Sequence, residues 1–452
     1  MERDILSRRP EHAIVPTLDR IAALATLLGD PQRAYPVIHI TGTNGKTSTA
    51  RMTETLLRAR GLRTGLYTSP HLTSLRERIS IDGEPLSPEA FVAAHDDIAP
   101  YAAMVDGQQA LRLSFFEMLT AMAFAAFADA PVDVAVVEVG LGGTWDATNI
   151  ADGQVAVITP ISLDHTVYLG STVEAIATEK AGIIKPGAVA VLARQPAAAA
   201  RALARQAAEV SVPVRTEGTD FGVTSRELAV GGQRLELSVL GGGYPDVLLP
   251  LFGAYQAQNA ACALAAVEAF AGGGPWDGDL VRQAFAAVTA PGRLEVVRRS
   301  PVVIVDSAHN PAGMAVSVDA VTEAFGFATL VAVLAVSADK DVAGILEQLE
   351  PVAARLVVTR NSASRSMDPR ELQRLAVGGF GPERVVAAPR LDDAIDIATT
   401  LADEAPDGPA LGGAGILITG STTTAGEARL LLGAADALAG GAPEEAGGGA
   451  LP

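Results

Sequence analysis

The stretch Tyr35-Pro-Val-Ile-His-Ile-Thr-Gly-Thr-Asn-Gly-Lys-Thr-Ser-Thr49 has the residue types and spacing to hold a phosphate chain. Val37 to Ile40 read as a short buried strand, and Gly42-Thr-Asn-Gly45 as a tight turn. Lys46 then opens a helix with Met52, Leu56 and Ala59 on one face, stopped by Gly61. Glycines let backbone N–H groups close around an anion, the helix N-terminus adds its dipole, and Lys46 adds a full charge for the outer phosphates. Thr47 or Ser48 offers a hydroxyl to Mg²⁺. The spacing is G-x-x-G-K-T. The broader G-x4-G-K-[ST] pattern would need glycine at position 40, where Ile40 stands. An ordinary strand–turn–helix joint with a surface lysine would need neither the paired glycines nor the Gly-Lys-Thr-Ser run.

Other residues in the chain could share that chemistry. Glu138 ends an otherwise apolar strand, where an unpaired carboxylate is costly and calls for a cation. After a strand and phosphate loop, a magnesium ligand is a better reading than an acid at a fraying end. Asp164-His165 sits at a strand-to-loop junction, and spacing leaves a structural histidine and a ligand equally open. Lys180 follows Glu179 in a helix otherwise rich in Ala and Ile, where a solvated lysine is the plain alternative; Lys185 reads as a dipole-complementing residue at the helix end. Arg293 is either a surface arginine or one presented to phosphates as two domains close. Asp306-Ser-Ala-His-Asn310-Pro311 reads both as a polar strand-end site and as a helix cap with Pro at the first helical position. Gly420-Ser-Thr-Thr-Thr424 suits a second anion nest or simple Ser/Thr capping.

The elements that must position these residues alternate. Strands are expected near Leu62–Thr68, Val132–Gly140, Val155–Thr159 and Val189–Leu192. Helices are expected at Thr17–Leu28, Pro88–Tyr101, from Ser114, and at Thr172–Ile184. Such alternation predicts an α/β fold with a parallel sheet covered on both faces, with ligands outside the C-terminal strand ends. The rhythm breaks at 219–252, where a hairpin around Gly231-Gly232 is expected, and helices follow at Tyr255–Phe270 and Asp279–Val288. Ala290-Pro-Gly-Arg293 reads as a linker. Alternation then restarts with strands at Val302–Val305, Leu330–Ala335, Leu356–Thr359, Val385–Ala387 and Ile416–Thr419. The expected organisation is a P-loop parallel-sheet ATPase domain over residues 1–292, a smaller Rossmann-like α/β domain over 293–437, and a disordered Gly/Ala/Glu-rich tail over 438–452.

The chain has 452 residues, 49% of them hydrophobic, enough for more than one core. One cysteine, Cys262, leaves no internal disulfide or Cys-based metal cluster. A formal net charge of −18 with no basic block argues against a nucleic-acid partner. An anionic ligand would then need local lysines, arginines, metal and helix ends. The start carries no signal-type apolar segment, and apolar runs are too short for a membrane span, so a cytoplasmic protein without membrane partners is expected. A monomer acting on small molecules is expected as well.

A family resemblance rests on an ordered set of motifs. These are His39-Ile-Thr-Gly-Thr-Asn-Gly-Lys46, Thr68-Ser-Pro-His-Leu72, Glu138-Val-Gly-Leu-Gly-Gly143, Asp146-Ala-Thr-Asn149, Leu163-Asp-His165, Glu179-Lys-Ala-Gly-Ile183, Pro291-Gly-Arg293 and Asp306-Ser-Ala-His-Asn-Pro311. From about residue 15 to 435 the chain resembles the folylpolyglutamate synthase/dihydrofolate synthase family of the Mur ligase superfamily. The resemblance implies an ATP-dependent amide ligase. It would phosphorylate a folate or pteroate carboxylate, let the amine of L-glutamate attack the acyl phosphate, and release ADP and phosphate. By the family pattern Gly42, Thr43, Asn44, Gly45, Lys46, Thr47 and Ser48 hold the phosphates, and Ser69, Glu138 and His165 ligate a first Mg²⁺. Lys180 matches a lysine carbamylated in the family, where the carbamate serves as a ligand for a second Mg²⁺. Asn259 and Asp306 match adenine and ribose contacts, and Arg293 a phosphate contact. His309 and Ser421 would lie near the incoming glutamate. Phe116 and Asp146 match pterin-binding positions of bifunctional members, with Ser114 where threonine is common. On this reading the catalytic residues are Lys46, His165, Lys180, Arg293 and His309.

The sequence departs from the family at Thr47 (often glycine), Thr144 (often arginine), Val167 (a common aspartate) and Ser307 (glycine or alanine). These touch the pterin side more than the ATP chemistry. A monofunctional folylpolyglutamate synthase is the nearest alternative. A Mur ligase for a UDP-linked precursor would need a further domain ahead of the loop, and about 40 residues precede Gly42. A P-loop switch or motor would not need a second α/β domain with its own polar loops.

Overall fold

The computed structural model describes residues 1–11, 13–405 and 413–434. The segment 438–452, expected to be disordered, lies outside the described residues. The chain divides into two compact units. One comprises Met1–Leu294 with Asn310–Gly326, and the other Glu295–His309 with the residues from Phe327 on.

The larger unit is built on a sheet of eight strands: β1 Val37–Thr41, β2 Thr64–Tyr67, β3 Ile79–Ile81, β4 Glu84–Pro85, β5 Val134–Glu138, β6 Gly153–Ile158, β7 Val189–Leu192 and β8 Val214–Thr216. Their order is β4-β3-β2-β5-β1-β6-β7-β8. From β2 to β8 all pairs are parallel, while β3 and β4 form an antiparallel edge. β5 reads Val-Ala-Val-Val-Glu and is buried along its length, as expected of a strand covered by helices on both faces. β1 lies between β5 and β6, with Ile40 beside Glu138 on one side and Val157 on the other. The chain's excursions before β5 and after β6 leave opposite sides of β1, so the exit loops of β1, β5 and β6 converge at one crevice.

Helix Lys46–Ala59 packs through Met52, Leu56 and Leu57 into a core that also takes Ala257–Val267 of helix Ala254–Phe270. Small alanines along that second helix allow this close contact. A three-stranded antiparallel sheet closes the core: β9 Gly222–Ala229, β10 Gly232–Val239 and β11 Gly242–Leu249. The expected hairpin is present, and β11 is an addition to it. In β10 Leu235, Leu237 and Val239 face in while Glu236 and Ser238 face out, the period of two that a half-buried strand requires. On the opposite sheet face, helices Pro88–Gln108 and Phe115–Asp129 bury Phe91, Ile98, Met118, Met122 and Phe124.

The smaller unit has six strands: β12 Glu295–Arg299, β13 Val302–Val305, β14 Thr329–Leu334, β15 Arg355–Val358, β16 Val385–Ala387 and β17 Ala414–Thr419. Their order is β12-β13-β17-β14-β15-β16, parallel except for the edge strand β12. The architecture is the expected α/β pair of parallel-sheet units. Among the described residues no helix is long and apolar enough to cross a membrane.

Candidate active site

The glycine loop leaves β1 with φ of 150° at Gly42 and 87° at Gly45. A Cβ on Gly42 would fall 1.8 Å from Thr159 Oγ1, and one on Gly45 would fall 2.6 Å from Asn259 Oδ1. Both positions therefore demand glycine for conformation and for space. The loop is tied to the exit of β6. Thr43 and Asn44 N–H donate to the Pro160 carbonyl at 3.0 and 3.3 Å. Thr43 Oγ1 donates to Ser162 O and accepts from Ser162 N, both at 3.1 Å. Asn44 Nδ2 donates to Asn310 Oδ1 at 3.3 Å, and Asn310 Nδ2 donates to Asn44 Oδ1 (3.1 Å) and Asp164 Oδ2 (2.9 Å). Lys46 Nζ curls over the loop, donating to Gly42 O at 3.2 Å and Thr43 O at 3.0 Å.

Beneath the loop lies Glu138, 1% exposed. Thr47 Oγ1 lies 2.9 and 3.1 Å from its two oxygens, and Ser69 N–H donates to Oε2 at 3.2 Å. Burial pushes the carboxyl up from its ordinary value, while the Lys46 charge, the Thr47 and Ser69 bonds and the Arg293 charge pull it down. A buried anion is stable here only with cations at hand. The hydroxyls of Thr47 and Ser69 and the Glu138 carboxylate are hard oxygen donors, and these residues fit a magnesium ion. Among the described residues no three His, Cys, Asp or Glu side chains gather into a group that could hold a metal ion.

Lys180 ends the helix Val173–Lys180 and is 3% exposed. Burial, reinforced by the Lys46 charge, lowers its ammonium to about 7, against pull from Asp164, Asp146 and Glu179. Burial thus favours the free amine far more than at an exposed lysine. Of the two readings left open for Lys180, its burial excludes the solvated helix lysine. The Gly140–Thr144 segment is held to the same helix, with Gly143 N donating to Glu179 Oε1 at 3.3 Å and Thr144 N and Oγ1 both donating to Glu179 O at 3.0 Å. His165 has a left-handed backbone (φ 50°), its N–H donates to Asp164 Oδ1 at 2.8 Å, and its ring is 35% exposed.

Asp146 is 4% exposed. It accepts from Leu141 N at 2.9 Å, Thr148 N at 3.0 Å and Thr148 Oγ1 at 2.5 Å. Burial raises its carboxyl against those bonds. Since the Thr148 hydroxyl donates to Asp146, it must accept from His39 Nε2 at 2.9 Å, which places the His39 proton on Nε2. Burial and the Lys185 charge hold His39 down to about 3, so the ring is neutral. Phe116 lies over Gly140, and its ring centroid is 5.9 Å from that of Tyr67. Ser114 is engaged in a capping box, accepting from Glu117 N at 3.2 Å while Glu117 Oε2 accepts from Ser114 N at 2.7 Å.

Asn259 faces Gly45 and donates to Gln256 Oε1 at 3.0 Å, and Gln256 donates to Ser48 Oγ at 3.3 Å. Gln256 and Arg78 are not among the expected site residues, whereas the helix cap expected at Asn310 is present, its Oδ1 accepting from Gly313 N at 2.8 Å. Gln256 stands three residues before Asn259 on one helix face, a spacing that could have flagged it. Arg78, fully buried, pairs with Glu11 at 2.9 Å and donates through Nε to His71 Nδ1 at 2.9 Å.

In the smaller unit, Asp306, His309 and Ser421 follow β13 and β17. Asp306 is buried and caps its own loop, accepting from Ala308 N at 3.0 Å. His309 Nδ1 lies 2.9 Å from Ser307 O, a carbonyl that can only accept, so Nδ1 carries a proton. Ser421 caps the helix Thr422–Leu431, accepting from Thr424 N at 3.0 Å.

Residues 40–267 match the Mur ligase middle domain, and residues 292–422 the glutamate ligase domain of Mur ligases. Over 447 residues the chain is 53% identical to the dihydrofolate synthase/folylpolyglutamate synthase of Mycobacterium tuberculosis, covering 94% of this chain and 92% of that protein. The fold matches a structure of Mycobacterium tuberculosis folylpolyglutamate synthase complexed with ADP at a TM-score of 0.92, with 53% identity over 96% of this chain and 97% of the other. It matches an FPGS–AMPPCP–folate complex at 0.82, with 33% identity over 95% and 98%. Fold and site define a ligase of the Mur class, which joins an acid to an amino acid. Within that class, the chain belongs to the dihydrofolate synthase/folylpolyglutamate synthase family.

Proposed function

We propose that this chain adds L-glutamate to reduced folates and to dihydropteroate at the expense of ATP, with residues 1–292 as the ATP-binding domain and 293–437 as the glutamate ligase domain. The observation that carries the reading is the buried Glu138, held by Thr47 and Ser69 directly below the loop of Gly42 and Gly45. That arrangement suits phosphoryl transfer, which needs positioning and charge neutralisation more than covalent catalysis. A substrate carboxylate oxygen attacks the γ-phosphorus and the bond to ADP breaks. The glutamate amine then attacks the acyl carbon, phosphate leaves, and the amine's surplus proton passes to solvent.

Within that scheme Gly42–Ser48 orient the phosphates by their N–H groups, and Lys46 and Arg293 offset the charge that builds on ADP. Ser69, Glu138 and His165 would hold one magnesium ion, and Lys180, as a carbamate, a second. Bound magnesium supplies charge neutralisation at the phosphates. The depressed Lys180 ammonium supports the carbamate, because only the free amine adds CO₂. Asn259 and Asp306 are assigned to the nucleoside, Phe116, Asp146 and Ser114 to the pterin side, and His309 and Ser421 to glutamate. The engagement of Ser114 in its capping box leaves it a structural part in shaping that side. We take the enzyme to be a cytoplasmic monomer.

ADP release measured with each component omitted tests the assignment. It is expected to need glutamate and a folate or pteroate acceptor together. ADP release that continues without both would contradict the ligase chemistry in this chain.

A further inference from the structure

Asn361 lies in the loop after β15 and is 5% exposed. Its amide orientation is fixed, because Oδ1 accepts from Ala363 N at 3.0 Å, which leaves the NH₂ group on the other side. The two amide hydrogens go to two hydroxyls, Ser421 Oγ and Thr424 Oγ1, each at 2.9 Å. The backbone N–H of Asn361 donates to Ser366 Oγ at 3.1 Å, so the residue is held from both sides.

The hydroxyl bookkeeping then settles what Ser421 can offer. A serine hydroxyl has two acceptor sites and one proton. Ser421 Oγ accepts from Thr424 N at 3.0 Å and from Asn361 Nδ2 at 2.9 Å, which fills both acceptor sites. Thr424 Oγ1 gives its own proton to Ala335 O at 2.8 Å. In the 2.8 Å pair between the two hydroxyls Ser421 is therefore the donor. All that remains for Ser421 to offer a ligand is its proton.

We propose that Asn361 is a positioning residue that fixes Ser421 as a hydrogen-bond donor, so that Ser421 recognises a carboxylate of the incoming glutamate and not its amine. The proposal rests on the assignment of Ser421 to glutamate. A carboxylate is a stronger acceptor than the Thr424 hydroxyl, and the Ser421 O–H rotates from one to the other at little cost. An ammonium or amine N–H meets no open lone pair there.

The test compares Ser421→Ala, Asn361→Ala and Asn361→Asp with the parent enzyme, measuring KM and kcat for glutamate and KM for ATP. ADP affinity and melting temperature report whether each variant is folded. Loss of a hydrogen bond to a charged group raises the glutamate KM by about 10- to 100-fold in Ser421→Ala. Asn361→Ala is expected to raise it by about 10-fold. Asn361→Asp is the sharper variant, because it keeps the shape but turns a donor into an acceptor. The new carboxylate captures the Ser421 proton and repels a second carboxylate, so the rise is expected to exceed that in Asn361→Ala, at about 100-fold. KM for ATP stays within about two-fold in all three. A raised glutamate KM in Ser421→Ala with parent-like values in both Asn361 variants overturns the positioning role. A parent-like value in Ser421→Ala overturns the assignment of Ser421 itself, and the proposal with it. If Asn361→Asp does not fold, equal glutamate KM in Asn361→Ala and the parent is enough to reject the role of Asn361.

Discussion

At the exit of β5 the larger unit buries a carboxylate, Glu138, with two neutral donors and the charges of Lys46 and Arg293 as its support. At the exits of β13 and β17 the smaller unit places Asp306 and Ser421, whose oxygens are bound by the N–H groups of their own loops. Both sheets present polar residues at the C-terminal ends of parallel strands, yet they do so with different physics. The first set is electrostatically loaded: an amine lowered to about 7 at Lys180, a carboxyl raised by burial at Glu138, and a lysine curled over the phosphate loop. The second is satisfied and directional, with hydrogen bonds that fix which way each group points. Phosphoryl transfer needs the former, and recognition of a small zwitterionic substrate needs the latter.

The contrast can be broken by substitution. Lys180→Ala gives the largest expected effect: turnover lost by at least about 10³-fold, with the melting temperature and ADP binding preserved. An active Lys180→Ala enzyme would remove the carbamate assignment, and incorporation of ¹³C-labelled bicarbonate at this residue, read by NMR, checks it independently. Glu138→Gln comes next. Turnover should fall by about 10²- to 10³-fold, while the melting temperature holds or rises because a buried charge is relieved. A large loss of stability there would place Glu138 with the self-satisfied caps of the smaller unit. Gly45→Ala is expected to weaken ADP by about 10-fold or more in calorimetry, since the backbone penalty is about 1–2 kcal/mol before the contact with Asn259 Oδ1 is counted. Parent-like ADP affinity in that variant would show that the loop yields more than its hydrogen bonds to Pro160 and Ser162 suggest.

At neutral pH the smallest effect is in stability, and it grows only in acid. His39 titrates near 3 when folded and at its ordinary 6.5 when unfolded. Between those values the unfolded chain binds a proton that the folded one does not, so stability falls as pH drops from about 6.5 towards 3, by up to about 1.4 kcal/mol per pH unit. In His39→Asn that part of the slope should vanish from urea midpoints measured across the range. An unchanged slope would mean that His39 is protonated in the fold.

Much of this arrangement was legible in the chain, for identifiable reasons. The glycine loop, Glu138 and the central parallel strands of both sheets follow from local pattern: paired glycines before Lys46, an acid ending an apolar run, and strands alternating with helices. The antiparallel strands β11 and β12 were missed, because Gly242-Gly-Tyr-Pro and Glu295-Val-Val-Arg-Arg carry weak β-signals that pairing overrides. The burial of Lys180 had no local sign either, since it depends on the Gly140–Thr144 segment packing onto its helix. Gln256 and Asn361 stayed hidden for a further reason. Each acts by a hydrogen bond to a residue at least 60 positions away, and no spacing within one element encodes such a partner.

The central claim is that the larger unit's charged site activates a carboxylate for attack by glutamate. Incubation of the enzyme with ATP, Mg²⁺, L-glutamate and either tetrahydrofolate or dihydropteroate, followed by mass spectrometry of the acceptor, tests it most directly. The expected result is an acceptor heavier by one or more glutamyl residues, with one ADP formed per residue added. No gain in mass with either acceptor would contradict the account.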